Sequence, residues 1–156
     1  VPMSLHHLLA HDAILPALKV NSKKQALVEI AERAALVSGL RERDIFDGLW
    51  QRENLGSTGV GEGVAVPHAK LKSLGRIFGV FARLEKPVDF DTTDGSPVDI
   101  VFALIAPENA GADHLTALAQ VARTFREEQL LLELRNTTDS AGIYALLANQ
   151  LKLNAA

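Results

Sequence analysis

The sequence predicts an α/β fold: a single-domain sandwich in which a mixed β-sheet carries helices on both faces. Three observations lead there. Segments of helical period alternate with short extended segments along the chain. One extended segment is apolar without a break from Ile100 to Ala106, the pattern of a strand covered on both faces. The 156 residues, 47% of them hydrophobic, suffice for one core and one domain.

The elements follow in order. The stretch that carries His6, His7 and His11 reads as a mobile N-terminus with surface histidines, and Val1-Pro2 ahead of Met3 reads as an expression scar. Ser22-Lys23-Lys24-Gln25 is a capping box, in which the Ser22 hydroxyl and the Gln25 amide each satisfy a free N–H. Leu27, Ile30, Ala31 and Ala34 follow at helical spacing, and Gly39 ends the helix. A second helix is expected from about Asp44 to Glu53, burying Ile45, Leu49 and Trp50. Gly56 to Gly63 is a turn-rich loop, and Val64-Ala65-Val66 is a short strand stopped by Pro67, which cannot donate to a ladder. Ile77–Leu84 and Val98–Ile105 read as longer strands joined by a polar connection, Glu85 to Pro97. Ala112 to Arg126 is an amphipathic helix expected to turn Leu115, Leu118, Ala119, Ala122 and Phe125 inward. A short helix over Gln129–Arg135 and a last one over Asp139–Leu151, with Ile143, Leu146 and Leu147 packed, complete the chain.

Composition narrows the function. Sixteen Lys+Arg against nineteen Asp+Glu give a net charge of -3, no footprint for nucleic acid or an anionic membrane. With no cysteine, disulfides, thiolate metal sites and cysteine nucleophiles are excluded. The longest apolar run is far too short to span a bilayer, and no secretory signal is visible, so no membrane insertion is expected and cytoplasm is the default location.

His68 is the residue with chemistry around it. Four glycines among residues 56–63 precede it, and such a loop can leave backbone N–H groups uncovered for an anion. Pro67 fixes the chain just before it. A neutral imidazole is a competent nucleophile toward phosphorus. The spacing leaves two readings open: a phosphoryl acceptor, or a strand-end histidine bonded to a nearby carbonyl. His114 lies in the first turn of the helix after the apolar strand, where ligands of α/β sheets collect and a helix dipole favours a phosphate; read alone it is a solvent-facing histidine of that turn. Arg52 ends the second helix just ahead of the loop; read alone it is a solvated arginine stabilising a helix C-terminus, and its guanidinium can also hold a phosphoryl group in bidentate fashion.

Arg52-Glu53, Gly56-Ser57-Thr58-Gly59, Val64-Ala65-Val66-Pro67-His68 and Asp113-His114-Leu115 together resemble the mannitol/fructose-type enzyme IIA family of the bacterial phosphotransferase system. The resemblance runs from His6 to Gln150, as one domain. Residues 22–27 (SKKQAL) and 84–95 (LEKPVDFDTTDG) are similar to the nitrogen-related, regulatory branch. The resemblance implies that His68 takes a phosphoryl group on Nε2 from an HPr-like phosphocarrier. It implies that His114 is the second, unphosphorylated histidine of the site and that Arg52 lies beside it. Potassium transport components or sensor kinases are the regulatory partners it suggests. Ala69 departs from the glycine that members commonly carry there, and a slightly different loop is expected. No metal and no cofactor is implied, and without a Walker-type motif the phosphoryl donor is expected to be a protein. Two other readings stand beside this one. The first is a sugar-specific enzyme IIA that hands its phosphoryl group to an enzyme IIB. The second, more remote, is a metal-dependent hydrolase built on His68, His114 and Glu62 or Asp113; a binding module without phosphoryl chemistry is the blandest outcome.

Overall fold

The computed structural model describes residues 8–72 and 74–155, with side chains described to residue 150. His6 and His7 lie outside the described residues. In chain order the elements are β1 (Leu9–Leu18), α1 (Lys23–Ser38), α2 (Glu42–Leu55), β2 (Gly59–Gly61), β3 (Val64–Ala65) and β4 (His68–Leu71). β5 (Phe78–Val88), β6 (Val98–Pro107), α3 (Ala112–Thr124), α4 (Glu128–Arg135) and α5 (Ser140–Ala155) follow.

Among the described residues six strands form one sheet in the order β1-β5-β6-β3-β2, and β4 also pairs with β6. β1 runs parallel to β5, and β3 and β4 run parallel to β6. The β5–β6 and β2–β3 pairs are antiparallel, so the sheet is mixed. Residues Ile100 to Ala106 of β6 are all 0% exposed. Since successive strand residues face opposite sides, both faces of β6 are covered. α1 and α2 pack on each other and on β1, β5 and β4, while α3, α4 and α5 form a second group on β6 and β1. This is the sandwich the sequence predicts.

The capping of α1 is local chemistry: the Ser22 hydroxyl accepts from Gln25 N–H at 3.1 Å, and Gln25 Oε1 accepts from Asn21 N–H at 2.8 Å. Gly39, at φ 79°, closes the helix by donating to the Ala35 carbonyl.

Three expectations are corrected. The N-terminal stretch is not a loose end: from Leu9 it is an edge strand, and the exposed His11 ring lies against Tyr144 with centroids 3.6 Å apart and planes tilted by 50°. Strand β5 continues through Glu85, Lys86 and Pro87 to Val88, which pairs with Val98. Pairing with β1 stops at Leu84, so Pro87 occupies an edge where its missing N–H costs no ladder bond. Finally, α3 is rotated about its axis from the expected face. Phe125 is buried and Leu118 packs on the core as expected, but the helix also buries His114, Ala117, Val121 and Thr124 and leaves Leu115 70% exposed, with Ala119 also outside.

Candidate functional site

Strands β3 and β4 are one strand with an interruption. Val64 pairs with Ile100, Ala65 with Val101 and His68 with Leu104, so the register is unchanged across the gap. The gap is Val66-Pro67. Proline has no N–H to give, but its carbonyl still accepts from Leu104 N–H at 2.8 Å. The Val66 N–H turns away to the Thr58 carbonyl at 2.9 Å, which ties the strand to the preceding loop. His68 therefore begins the resumed strand, beside α2.

The partners of His68 determine its tautomer. Arg52 Nε, which can only donate, points at His68 Nε2 at 3.2 Å. The Val66 carbonyl, which can only accept, lies 3.0 Å from Nδ1. The ring is therefore neutral, with the proton on Nδ1 and the lone pair on Nε2. Burial holds its pKa below the ordinary histidine value, the Arg52 charge lowers it further, and the Val66 bond and Glu53 charge only partly oppose this. Arg52 sits in the last turn of α2 and also donates from Nη1 to the Gly56 carbonyl at 2.9 Å.

His114 stands edge-on to His68, with ring centroids 5.6 Å apart and planes at 85°. It is 2% exposed, and neither ring nitrogen has a hydrogen-bond partner among the described residues. Burial, then the neighbouring His68 and Lys70, push its pKa below the ordinary value. A buried donor without a partner is costly, and here it lies beside the His68 ring. Arg52, His68 and His114 line one cleft of about 500 Å³. A larger hollow of about 600 Å³ lies between Arg41, Asp44, Lys72 and Glu108. It touches neither histidine, so size does not locate the chemistry.

Two further residues shape this cleft: Gly48, which no motif includes, and Glu53, which the Arg52-Glu53 pair includes without giving it a role. Gly48 lies one helical turn before Arg52. A Cβ there would sit 2.9 Å from the Ala69 methyl, so the bare glycine is what lets α2 approach β4. Ala69 itself is an ordinary strand residue, not a left-handed one. Glu53 follows Ile45 and Leu49 at four-residue spacing along the buried side of α2. Its carboxylate accepts from Thr58 N–H at 3.2 Å and from the Thr58 hydroxyl, and Lys23 Nζ lies 3.5 Å away. A carboxylate on an apolar stripe was the signal in the sequence.

The glycine loop is not the uncovered row of N–H groups that the sequence suggests. Thr58 and Gly59 N–H groups are taken by Glu53 and by the Ser57 hydroxyl. The loop folds as the β2–β3 hairpin, with Glu62 at φ 58° and Gly63 at φ 76°, the two positive angles of a type I′ turn. Arg135 clamps it by donating to the Glu62 carbonyl while holding Asp99 at 2.9–3.1 Å. Among the described residues, no three His, Cys, Asp or Glu side chains are grouped to hold a metal ion, so neither Glu62 nor Asp113 completes a ligand set with the two histidines. No helix of the described residues is long and apolar enough to cross a membrane.

Residues 7–150 match the family model described as phosphoenolpyruvate-dependent sugar phosphotransferase system, EIIA 2. The chain is 57% identical over 146 residues to a nitrogen regulatory protein of Bradyrhizobium diazoefficiens, covering 94% of this chain and 95% of that one. It is 36% identical to a nitrogen regulatory protein of Klebsiella oxytoca over 93% of this chain and 90% of the relative. The crystal structure of nitrogen regulatory protein IIA-Ntr from Neisseria meningitidis superposes with a TM-score of 0.86 at 35% identity, covering 92% of this chain and 98% of that one.

Proposed function

Since the chain belongs to the EIIA 2 family of the phosphoenolpyruvate-dependent sugar phosphotransferase system, we propose that it is a phosphocarrier that accepts a phosphoryl group on Nε2 of His68 from the phosphohistidine of an HPr-like protein. The observation that carries this reading is the opposed pair of partners on the His68 ring, a donor at Nε2 and an acceptor at Nδ1. In the step, the Nε2 lone pair forms an N–P bond as the donor's N–P bond breaks and the departing imidazole recovers its electron pair. The Nδ1 proton remains on His68, held by the Val66 carbonyl, so no proton has to move.

Phosphoryl transfer asks for in-line positioning and for stabilisation of charge on the equatorial oxygens. Arg52 must release the Nε2 lone pair, and its guanidinium is then free to hold those oxygens. His114, both of whose nitrogens lack a partner among the described residues, would donate to the same group. The rim suits a protein donor. Leu55, on the cleft, is 84% exposed, and Leu118 and Ala122 line the groove beside His68. We place the output in regulation, as in the relatives named nitrogen regulatory proteins: charge added at His68 alters which partners this face binds. Potassium transport components and sensor kinases are the partner classes to screen. Incubation with phosphoenolpyruvate, enzyme I and an HPr-like carrier, read by intact mass, tests the assignment. Wild type should gain one phosphoryl group and folded His68→Ala none; phosphorylation that persists in His68→Ala would overturn it.

A further inference from the structure

The Glu53 side chain is 0% exposed, and a carboxylate so enclosed is expensive unless its oxygens are fully used. Its partners are the Thr58 N–H, the Thr58 hydroxyl and the Lys23 ammonium. Lys23 is itself anchored to Asp91 at 2.9 Å and lies over the Phe90 ring, whose carbonyl accepts from Ser57 Oγ at 2.7 Å. These contacts converge on residues 57 and 58 of the loop. From Thr58 two hydrogen bonds lead to the nucleophile: the Thr58 carbonyl accepts from Val66 N–H at 2.9 Å, and the Val66 carbonyl faces His68 Nδ1 at 3.0 Å.

We propose that Glu53 is a positioning residue for His68. By holding Thr58 through both its N–H and its hydroxyl, it fixes the carbonyl that orients Val66, and Val66 in turn holds the ring with Nδ1 protonated and Nε2 presented to the donor. The inference rests on the phosphocarrier reading for its consequence, though not for its geometry. Stability alone does not explain the carboxylate, because a buried ion pair often contributes no more than well-packed apolar residues. What a carboxylate does here is accept two bonds from one residue at two oxygens. Glutamine offers a single oxygen and turns an NH₂ group against a donor. Arg52, on the adjacent position of α2, completes the arrangement: the helix that carries the group facing Nε2 also carries the one that sets Nδ1.

Glu53→Gln, Thr58→Val and Thr58→Ser separate this role from a structural one. Two readouts are used: the imidazole ¹⁵N spectrum of the unphosphorylated protein, and the rate of His68 phosphorylation by the HPr-like carrier. Glu53→Gln and Thr58→Val should show mixed ring tautomers and take up phosphate on the order of 10²-fold more slowly, the cost of a small misplacement of a reacting group. Thr58→Ser keeps both bonds and should restore the Nδ1–H pattern and the rate. Glu53→Gln with a wild-type ring spectrum or a wild-type rate overturns the proposal, as does a variant that loses only thermal stability. If Glu53→Gln does not fold, Thr58→Val against Thr58→Ser decides by the same readouts. The ring spectrum needs no phosphoryl donor. A wild-type chain that takes no phosphate therefore overturns the function, while the tautomer still judges Glu53.

Discussion

At the scale of single residues, the site turns on two imidazoles kept neutral by burial. Both His68 and His114 have pKa values below the ordinary histidine value of about 6.5. The unfolded chain therefore binds more protons than the folded one as pH falls below that value, and folding stability must decline there. Denaturant unfolding of wild type should show stability falling from pH 7 toward pH 5, and His68→Gln should fall less steeply. Parallel curves would mean that the ring is not held neutral by the fold. The same depression keeps Nε2 nucleophilic in mildly acid solution. His68, His114 and Arg52 were legible as residues because of the loop, the proline and the helix start around them. Glu53 stands in the same motif as Arg52, but its contact with Thr58 was not legible, because it depends on the loop folding Thr58 back within reach.

At the scale of elements, the close approach of α2 to β4 is what brings Arg52 to His68. Gly48 opposite Ala69 sets that distance. Gly→Ala inside an exposed helix normally stabilises by about 1 kcal/mol. Here Gly48→Ala should destabilise by roughly 1–3 kcal/mol, as overpacking does, and slow phosphorylation of His68. Adding Ala69→Gly removes the opposing methyl and should restore both. A stabilised Gly48→Ala single variant, or a double variant no better than the single, would show that the contact does not set the spacing. The elements that escaped the sequence did so for physical reasons. In β1, Ala13 and Ile14 are both buried and the register slips between Leu9 and Ile14, so no alternation of period two survives, and Pro16 sits in the edge strand. In α3 the apolar Leu115 is exposed, while the inner face carries the polar His114 and Thr124 beside Ala117 and Val121. Helical periodicity found the helix but not its rotation, because hydrophobicity was spent on the surface.

At the scale of the whole molecule, the mixed sheet gathers a helix end, an interrupted strand and a helix start at one point. The uninterrupted apolar run of β6 announced the central strand, and the register shared by β3 and β4 along it places His68 opposite Leu104. That pairing joins positions too far apart in the chain for any local pattern to show. The central claim is that the phosphoryl group sits on Nε2 of His68 with Nδ1 still protonated. The most direct measurement is the imidazole ¹⁵N and ³¹P spectra of histidine-labelled protein, phosphorylated from phosphoenolpyruvate through enzyme I and the HPr-like carrier. The expected result is a single phosphohistidine, substituted at Nε2 of His68 and carrying its proton on Nδ1. A phosphoryl group on Nδ1 of His68, on His114 or on any other side chain would contradict it.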